Sequence, residues 1–166
     1  MHQTAPRTVL GNAWWEKERQ AAFASTNYHC EACGVSKYQA QYHQWLEGHE
    51  IYKIDYAKGL CKYVRTVPLC HFCHNWIHIG RLTALLQKGD VHQAKYVAIV
   101  QHGDRIVKAS GLTRALPYEG PVAPWHKWRL VIGRKRYKGK FPTLEAWCKE
   151  FSYDPATVRA THWFNF

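Results

Sequence analysis

An α+β fold is what this sequence predicts, and three observations carry the expectation. Two C-x-x-C pairs, Cys30-Glu-Ala-Cys33 and Cys70-His-Phe-Cys73, flank residues 34 to 69. Between the pairs the chain alternates polar and apolar residues as strands do. On either side lie stretches with the capping residues and apolar spacing of helices. An apolar share of 46 % with 21 % charged residues is a globular composition and argues against disorder.

The elements follow in order. Residues 12–25 (NAWWEKERQAAFAS) read as a helix, with Asn12 as N-cap and Glu16 and Glu18 in the first turns. Tyr28 to Gly34 forms the first cysteine knuckle. From Gln44 to about Val67 the pattern gives two antiparallel strands turned at Ala57-Lys58-Gly59, with Pro68 ending the second. His71 to Gly80 fits a short helix stopped by Gly80. Residues 81–89 are expected to be helical. Residues 90–110 form a further helix capped by Asp90, with Gly103 weakening its second half. Residues 1–112 are thus expected as one domain, 113–126 as a linker with Gly120, Pro121 and Pro124, and 127–166 as an extension.

A C-x-x-C pair makes a tight knuckle whose two thiolates point at one centre, and two knuckles complete a tetrahedral site that suits zinc. A pair of disulfides is the alternative, which reducing cytosol disfavours. Cys30, Cys33, Cys70 and Cys73 are therefore the expected structural zinc ligands. Cys61 and Cys148 have no partner in this scheme and are expected to be buried thiols. A four-thiolate site is closed: it couples metal affinity to folding and leaves no position for a substrate. Chemistry must come from elsewhere.

Charge points to the partner. Twenty-three Lys and Arg against twelve Asp and Glu give +11, which favours a polyanion, and phosphate contacts dominate nucleic-acid affinity. No stretch approaches the ~18 apolar residues of a membrane helix, and the first ten residues lack a signal-peptide core. A soluble, cytoplasmic protein with no membrane partner is expected.

Histidines supply the chemistry. His49 lies in Leu46-Glu47-Gly48-His49-Glu50, on an expected strand, and His74 and His78 follow the second knuckle on the expected helix. Residues four apart on a helix share a face about 6 Å apart, so His74 and His78 are placed to grip one divalent ion. His49 is then free to deprotonate water. Strand, strand and helix, with a His at the strand and more on the helix, is the ββα-metal layout.

Cys30-x-x-Cys33, His49-Glu50-x-Tyr52-x-x-Asp55 and Val67-Pro68-Leu69-Cys70-x-x-Cys73-His74-x-x-x-His78-x-Gly80 together resemble the zinc-bound branch of the HNH endonucleases, in particular bacterial and phage members. The resemblance covers roughly residues 12–110. It implies a small zinc-stabilised ββα-metal core with flanking helices and a metal-dependent hydrolysis of DNA phosphodiester bonds. His49 takes the place of the general base, and His74 and His78 those of ligands to the catalytic ion, Mg²⁺, Mn²⁺ or Ni²⁺. Imidazole ligands suit the transition metals better than Mg²⁺. Many members carry Asp or His before the base, where this chain has Gly48. The family's central Asn has no clear match; Arg65 and Thr66 lie near its place, and Glu50 or Asp55 are candidates for a metal or orienting role. The alternative reading is a catalytically degenerate HNH-fold protein that binds nucleic acid or an anionic partner protein.

Residues 127–140 (KWRLVIGRKRYKGK) contain seven Lys or Arg and no acid. Trp128, Leu130 and Ile132 alternate as in a strand, Gly133 turns it, and Tyr137 lies on the return. Lys127, Arg129, Arg134, Lys135, Arg136, Lys138 and Lys140 would contact the backbone of double-stranded DNA. Beyond them Thr143 can cap one helix, and Asp154 with Pro155 can start another. This pair is similar to a helix-turn-helix over 143–163, although two helices that only pack on the core are also expected from the same residues.

Overall fold

The computed structural model describes residues 4–42, 44–112, 118–152 and 154–156. It is a mixed α+β fold, as expected. Helix α1 (Pro6–Ser25) is followed by strands β1 (Glu47–Asp55) and β2 (Leu60–Leu69). Helices α2 (His71–Ile77), α3 (Ile79–Gln87) and α4 (Gln93–Ala109) come next, then strands β3 (Arg129–Ile132) and β4 (Lys135–Lys138), and helix α5 (Leu144–Glu150). The strands form one sheet in the order β1-β2-β3-β4. No helix among the described residues is long and apolar enough to cross a membrane.

The chain packs as two compact units. One comprises Met1–Glu18, Glu50–Arg65 and Leu116–Phe166; the other comprises Arg19–His49 and Thr66–Ala115. Residues 113–117 lie outside the described residues, but β3 pairs in parallel with β2, Leu60 opposite Arg129 and Cys61 opposite Leu130. The ring of Tyr118 stacks on Tyr56 at 4.3 Å, and the Ala123 amide donates to the Tyr56 carbonyl at 2.8 Å. The basic extension is built into the sheet. Gly59 makes this close approach possible: its φ is +67°, and a Cβ there would come within 2.9 Å of the Ala123 Cβ.

In the same unit β3 and β4 pair antiparallel, with Leu130 opposite Tyr137 and Gly133 in the left-handed region at the turn. Thr143 caps α5 by accepting the Ala146 amide at 3.1 Å, which matches the sequence expectation. Trp147 and Cys148 of α5 are buried against Trp125, Phe141 and Leu144. The helix expected after Asp154 lies largely outside the described residues.

Helices α2, α3 and α4 form the frame of the other unit. Leu82 and Ile99 are buried at its core. Gly103 sits where α4 meets the Trp76 ring of α2: a Cβ there would lie 2.1 Å from Trp76 Cγ. Its place in the helix is a packing requirement and does not interrupt α4. Gly11 breaks the first helical segment (φ 85°, ψ 169°), so after a short piece from Pro6 the helix expected over residues 12–25 starts where the sequence places it. Three other expected boundaries are corrected. His92, not Asp90, stands at the N-cap of α4. Gly80 does not stop a helix, because α2 ends at His78 (φ −92°, ψ 39°) and α3 runs through Gly80. Likewise β2 continues through Pro68 to Leu69, and the Pro68 carbonyl accepts the Glu31 amide of the first knuckle at 2.9 Å.

Candidate functional site

Each knuckle is tied by backbone hydrogen bonds. The Cys30 amide donates to the Val35 carbonyl at 2.9 Å, the Gly34 amide to the Cys30 carbonyl at 2.8 Å, and the His74 amide to the Cys70 carbonyl at 2.9 Å. The bond from Glu31 to Pro68 holds the two knuckles together. The sulfurs of Cys30, Cys33, Cys70 and Cys73 consequently lie within 4.8 Å of one another, and Cys33 Sγ is 3.7 Å from Cys70 Sγ. Tetrahedral Zn–S bonds of about 2.3 Å put sulfurs about 3.8 Å apart, so the cluster has the dimensions of a zinc site. All six cysteines are free thiols, and Cys61 and Cys148 are buried away from this group. Hydrogen bonds from Cys30 and then Cys70 draw the Cys33 thiol well below the ordinary range, while Cys30 and Cys33 push that of Cys73 far above it.

The second group is built from β1 and α2. Alternation along β1 puts Glu47 and His49 on one face and Gly48 and Glu50 on the other. His74 and His78 lie one turn apart at the end of α2, where the His78 amide donates to the His74 carbonyl at 3.2 Å. The rings meet edge to face, with centroids 5.3 Å apart for His49–His74, 4.9 Å for His49–His78 and 4.8 Å for His74–His78. One ring nitrogen from each lies within 4.8 Å of the others. Sequence reading and structure agree in bringing these three residues together.

Glu47, which sequence reading left without a role, organises the group. Its two carboxylate oxygens accept from Nδ1 of His71 at 2.8 Å and from Nδ1 of His74. Burial works against its charge, but the bonds from His71 and His74 outweigh this and hold the carboxyl well below the usual carboxylate range. An anionic Glu47 fixes the proton of His74 on Nδ1 and leaves the Nε2 lone pair for a metal, the carboxylate–histidine–metal arrangement. The signal was present in the sequence: Glu47 is two residues from His49 on a strand, hence on its face. Asn75 braces the same turn, donating from Nδ2 to the His71 carbonyl at 2.9 Å.

Burial, and then the charge of His74, lower His49 to about 4; the same two causes, in the same order, lower His78 to about 3. Both imidazoles are neutral at neutral pH, with lone pairs available. Nδ1 of His49 is buried and makes no hydrogen bond among the described residues. Three converging imidazoles, one with an orphaned nitrogen, suit a transition-metal ion. Asp55 is elsewhere engaged, accepting the Lys58 amide at 3.0 Å and pairing with its ammonium at 3.4 Å. Neither it nor Glu50 is grouped with the three histidines among the described residues.

The basic residues of the extension belong to the other unit. Lys127, Arg134, Lys135, Arg136, Lys138 and Lys140 are exposed, and Arg129 is half-buried. The register sets Arg129 opposite Lys138 and Val131 opposite Arg136, which gathers three cations on the face turned away from Leu130 and Tyr137. Two members of the run are partly engaged. Arg129 Nη1 donates to the His126 and Trp128 carbonyls at 2.7 and 2.8 Å, and Lys140 pairs with Glu150 at 3.8 Å.

Comparison with family models, curated proteins and solved structures finds no match to this chain, so what its site does rests on the geometry above.

Proposed function

We propose that this chain is a metal-dependent endonuclease of the HNH type that hydrolyses DNA phosphodiester bonds. The observation that supports the reading is the convergence of His49, His74 and His78 around one point, with Glu47 fixing the tautomer of His74. In this reading His74 and His78 hold a divalent ion, and Cys30, Cys33, Cys70 and Cys73 hold structural zinc. A divalent ion bound there would neutralise the phosphate oxygens and the leaving oxygen. His49, neutral at neutral pH, takes the proton of the attacking water through a ring nitrogen. Glu47 keeps His74 from rotating and lends its ring basicity. The cationic face of β3 and β4 holds the phosphate backbone without reading sequence.

A second reading has one observation in its favour. The His49 ring stands as near to His74 and His78 as they stand to each other, which also suits a third ligand. The protein would then be a catalytically degenerate binder of nucleic acid or of an anionic partner protein. The test is incubation of supercoiled plasmid with the protein and Mn²⁺, with and without EDTA. Cleavage that EDTA abolishes supports the nuclease; absence of cleavage at any Mn²⁺ concentration supports the binder.

A further inference from the structure

The unit that holds the histidine group also has a cleft that the proposed chemistry does not use. It measures about 210 Å³ and runs between the end of α1 and the segment leading into β1. That is smaller than the ~300–1,000 Å³ of pockets for drug-sized ligands and suits a single flat ring. Its walls are of three kinds. Tyr28 and Trp45 present aromatic surface, with Phe23 beneath; Arg19 and Lys37 bring positive charge; Gln20 and Gln44 bring amides. Among the described residues no carboxylate lines it.

The cleft is held open by its own backbone. Tyr28 stands at φ +58°, a conformation that a bulky side chain rarely adopts. It is kept there by its amide donating to the Phe23 carbonyl at 2.8 Å and by the Lys37 amide donating to its own carbonyl at 2.9 Å. Lys37 Nζ then lies 4.4 Å from the Tyr28 ring centroid and 4.8 Å from that of Tyr38. The Arg19 guanidinium lies 5.6 Å from the Phe23 centroid. Trp45 is 54 % exposed and Tyr38 70 %. Large aromatic faces left in water beside cations are what nucleobases stack on, with the cations meeting phosphate. Amide side chains offer both donor and acceptor to a base edge.

We infer that this cleft binds an unpaired nucleobase of a DNA strand, stacked against Trp45 and Tyr28, with Lys37 and Arg19 on the adjoining phosphates. A paired base presents only its edge, whereas an unpaired one offers its face. Trp45 precedes Glu47 by two residues, so at most ~7 Å of chain separates a wall of the cleft from the carboxylate-bearing residue of the histidine group. The inference rests on the nuclease reading for the kind of polymer, and it adds that the preferred substrate carries a single-stranded segment.

The experiment compares a fluorescein-labelled 12-nucleotide single strand with the corresponding 12-base-pair duplex, using zinc-loaded protein with no added divalent ion. One stacked base is worth about 1–3 kcal/mol by alanine substitution, so Trp45→Ala should weaken single-strand binding about 5- to 150-fold. Duplex binding should change less than about two-fold, and Trp45→Phe should restore most of the single-strand affinity. Lys37→Gln should lower the log–log salt slope on the single strand by about 0.7. In wild type, a strand carrying 5-iododeoxyuridine should cross-link to the peptide holding Trp45 or Tyr28. Equal weakening on both substrates, no weakening on either, or cross-links confined to other peptides would overturn the inference. The plasmid assay fails or succeeds separately: a protein that cuts duplex plasmid while Trp45→Ala binds single strands normally keeps the nuclease reading and loses this one.

Discussion

Replacing Glu47 with Gln changes one atom type at the centre of the histidine group. In the wild type one carboxylate accepts from two imidazoles, His71 at 2.8 Å and His74. Glutamine keeps a single acceptor oxygen, so its amide N–H must face the Nδ1–H of one ring, donor against donor. If that ring is His74, it must rotate or exchange tautomers, and Nε2 no longer carries the lone pair aimed at the metal position. Outer-sphere partners of a ligating histidine are typically worth 10- to 100-fold in metal affinity, about 1.4–2.8 kcal/mol. The expected result is a Kd for Mn²⁺ raised within that range for Glu47→Gln, measured by calorimetry on protein whose zinc content is unchanged. His71→Ala is the control, because it removes only the competing partner and leaves the His74 bond intact; its effect should stay under about ten-fold. A Glu47→Gln variant that binds Mn²⁺ as tightly as wild type would refute the orienting role.

Other consequences are as specific. Purified protein should carry about one tightly bound zinc ion, and Cys70→Ser should abolish zinc retention and cooperative unfolding together, since structural zinc binding is folding energy; folded, zinc-free protein would contradict this. Gly103→Ala gains about 1 kcal/mol of helix propensity but meets the Trp76 ring, whose Nε1 is tied to Asp104 at 3.1 Å. Overpacking costs about 1–3 kcal/mol, so the net change is a loss of up to about 2 kcal/mol, read as a lower urea midpoint at constant slope; a raised midpoint would contradict it. His49 and His78 stay neutral in the folded chain down to about 4 and about 3, whereas unfolded histidines titrate near ~6.5. The unfolded state therefore binds more protons, and the stability these residues confer is present above pH ~6.5 and lost as pH falls towards the folded values. With no ion at the histidine centre, unfolding at pH ~5.5 should take up about two protons through this pair, and His78→Gln should remove about one of them. An unchanged slope of stability against pH in that variant would show that His78 titrates normally.

Much of this architecture is local and could be read from the chain. The knuckles are set by the short C-x-x-C spacing, the β3–β4 turn by Gly133 and by the alternation of Trp128, Leu130 and Ile132, and the start of α5 by Thr143. What escaped the sequence is long-range. Nothing in residues 127–140 announces that β3 will pair with β2, because partner choice in a sheet depends on distant strands rather than on local pattern. Gly103 looks like a weak point in α4 until the Trp76 ring appears opposite it. At the histidine group the motif directs attention to position 48, adjacent to His49, but strand parity turns that position away and brings residue 47 to the side of His49. His71 escaped for a related reason: its Nδ1 matters only through the carboxylate it shares with His74.

The central claim is that His49 moves a proton while His74 and His78 hold the ion. The measurement that tests it most directly is Mn²⁺ affinity and plasmid cleavage on one preparation of His49→Ala. General-base catalysis contributes about 10²- to 10⁴-fold, so cleavage should fall by at least about 100-fold while the Kd for Mn²⁺ stays within a few-fold of wild type. Cleavage at the wild-type rate would contradict the assignment of the base, and loss of Mn²⁺ binding would make His49 a third ligand instead.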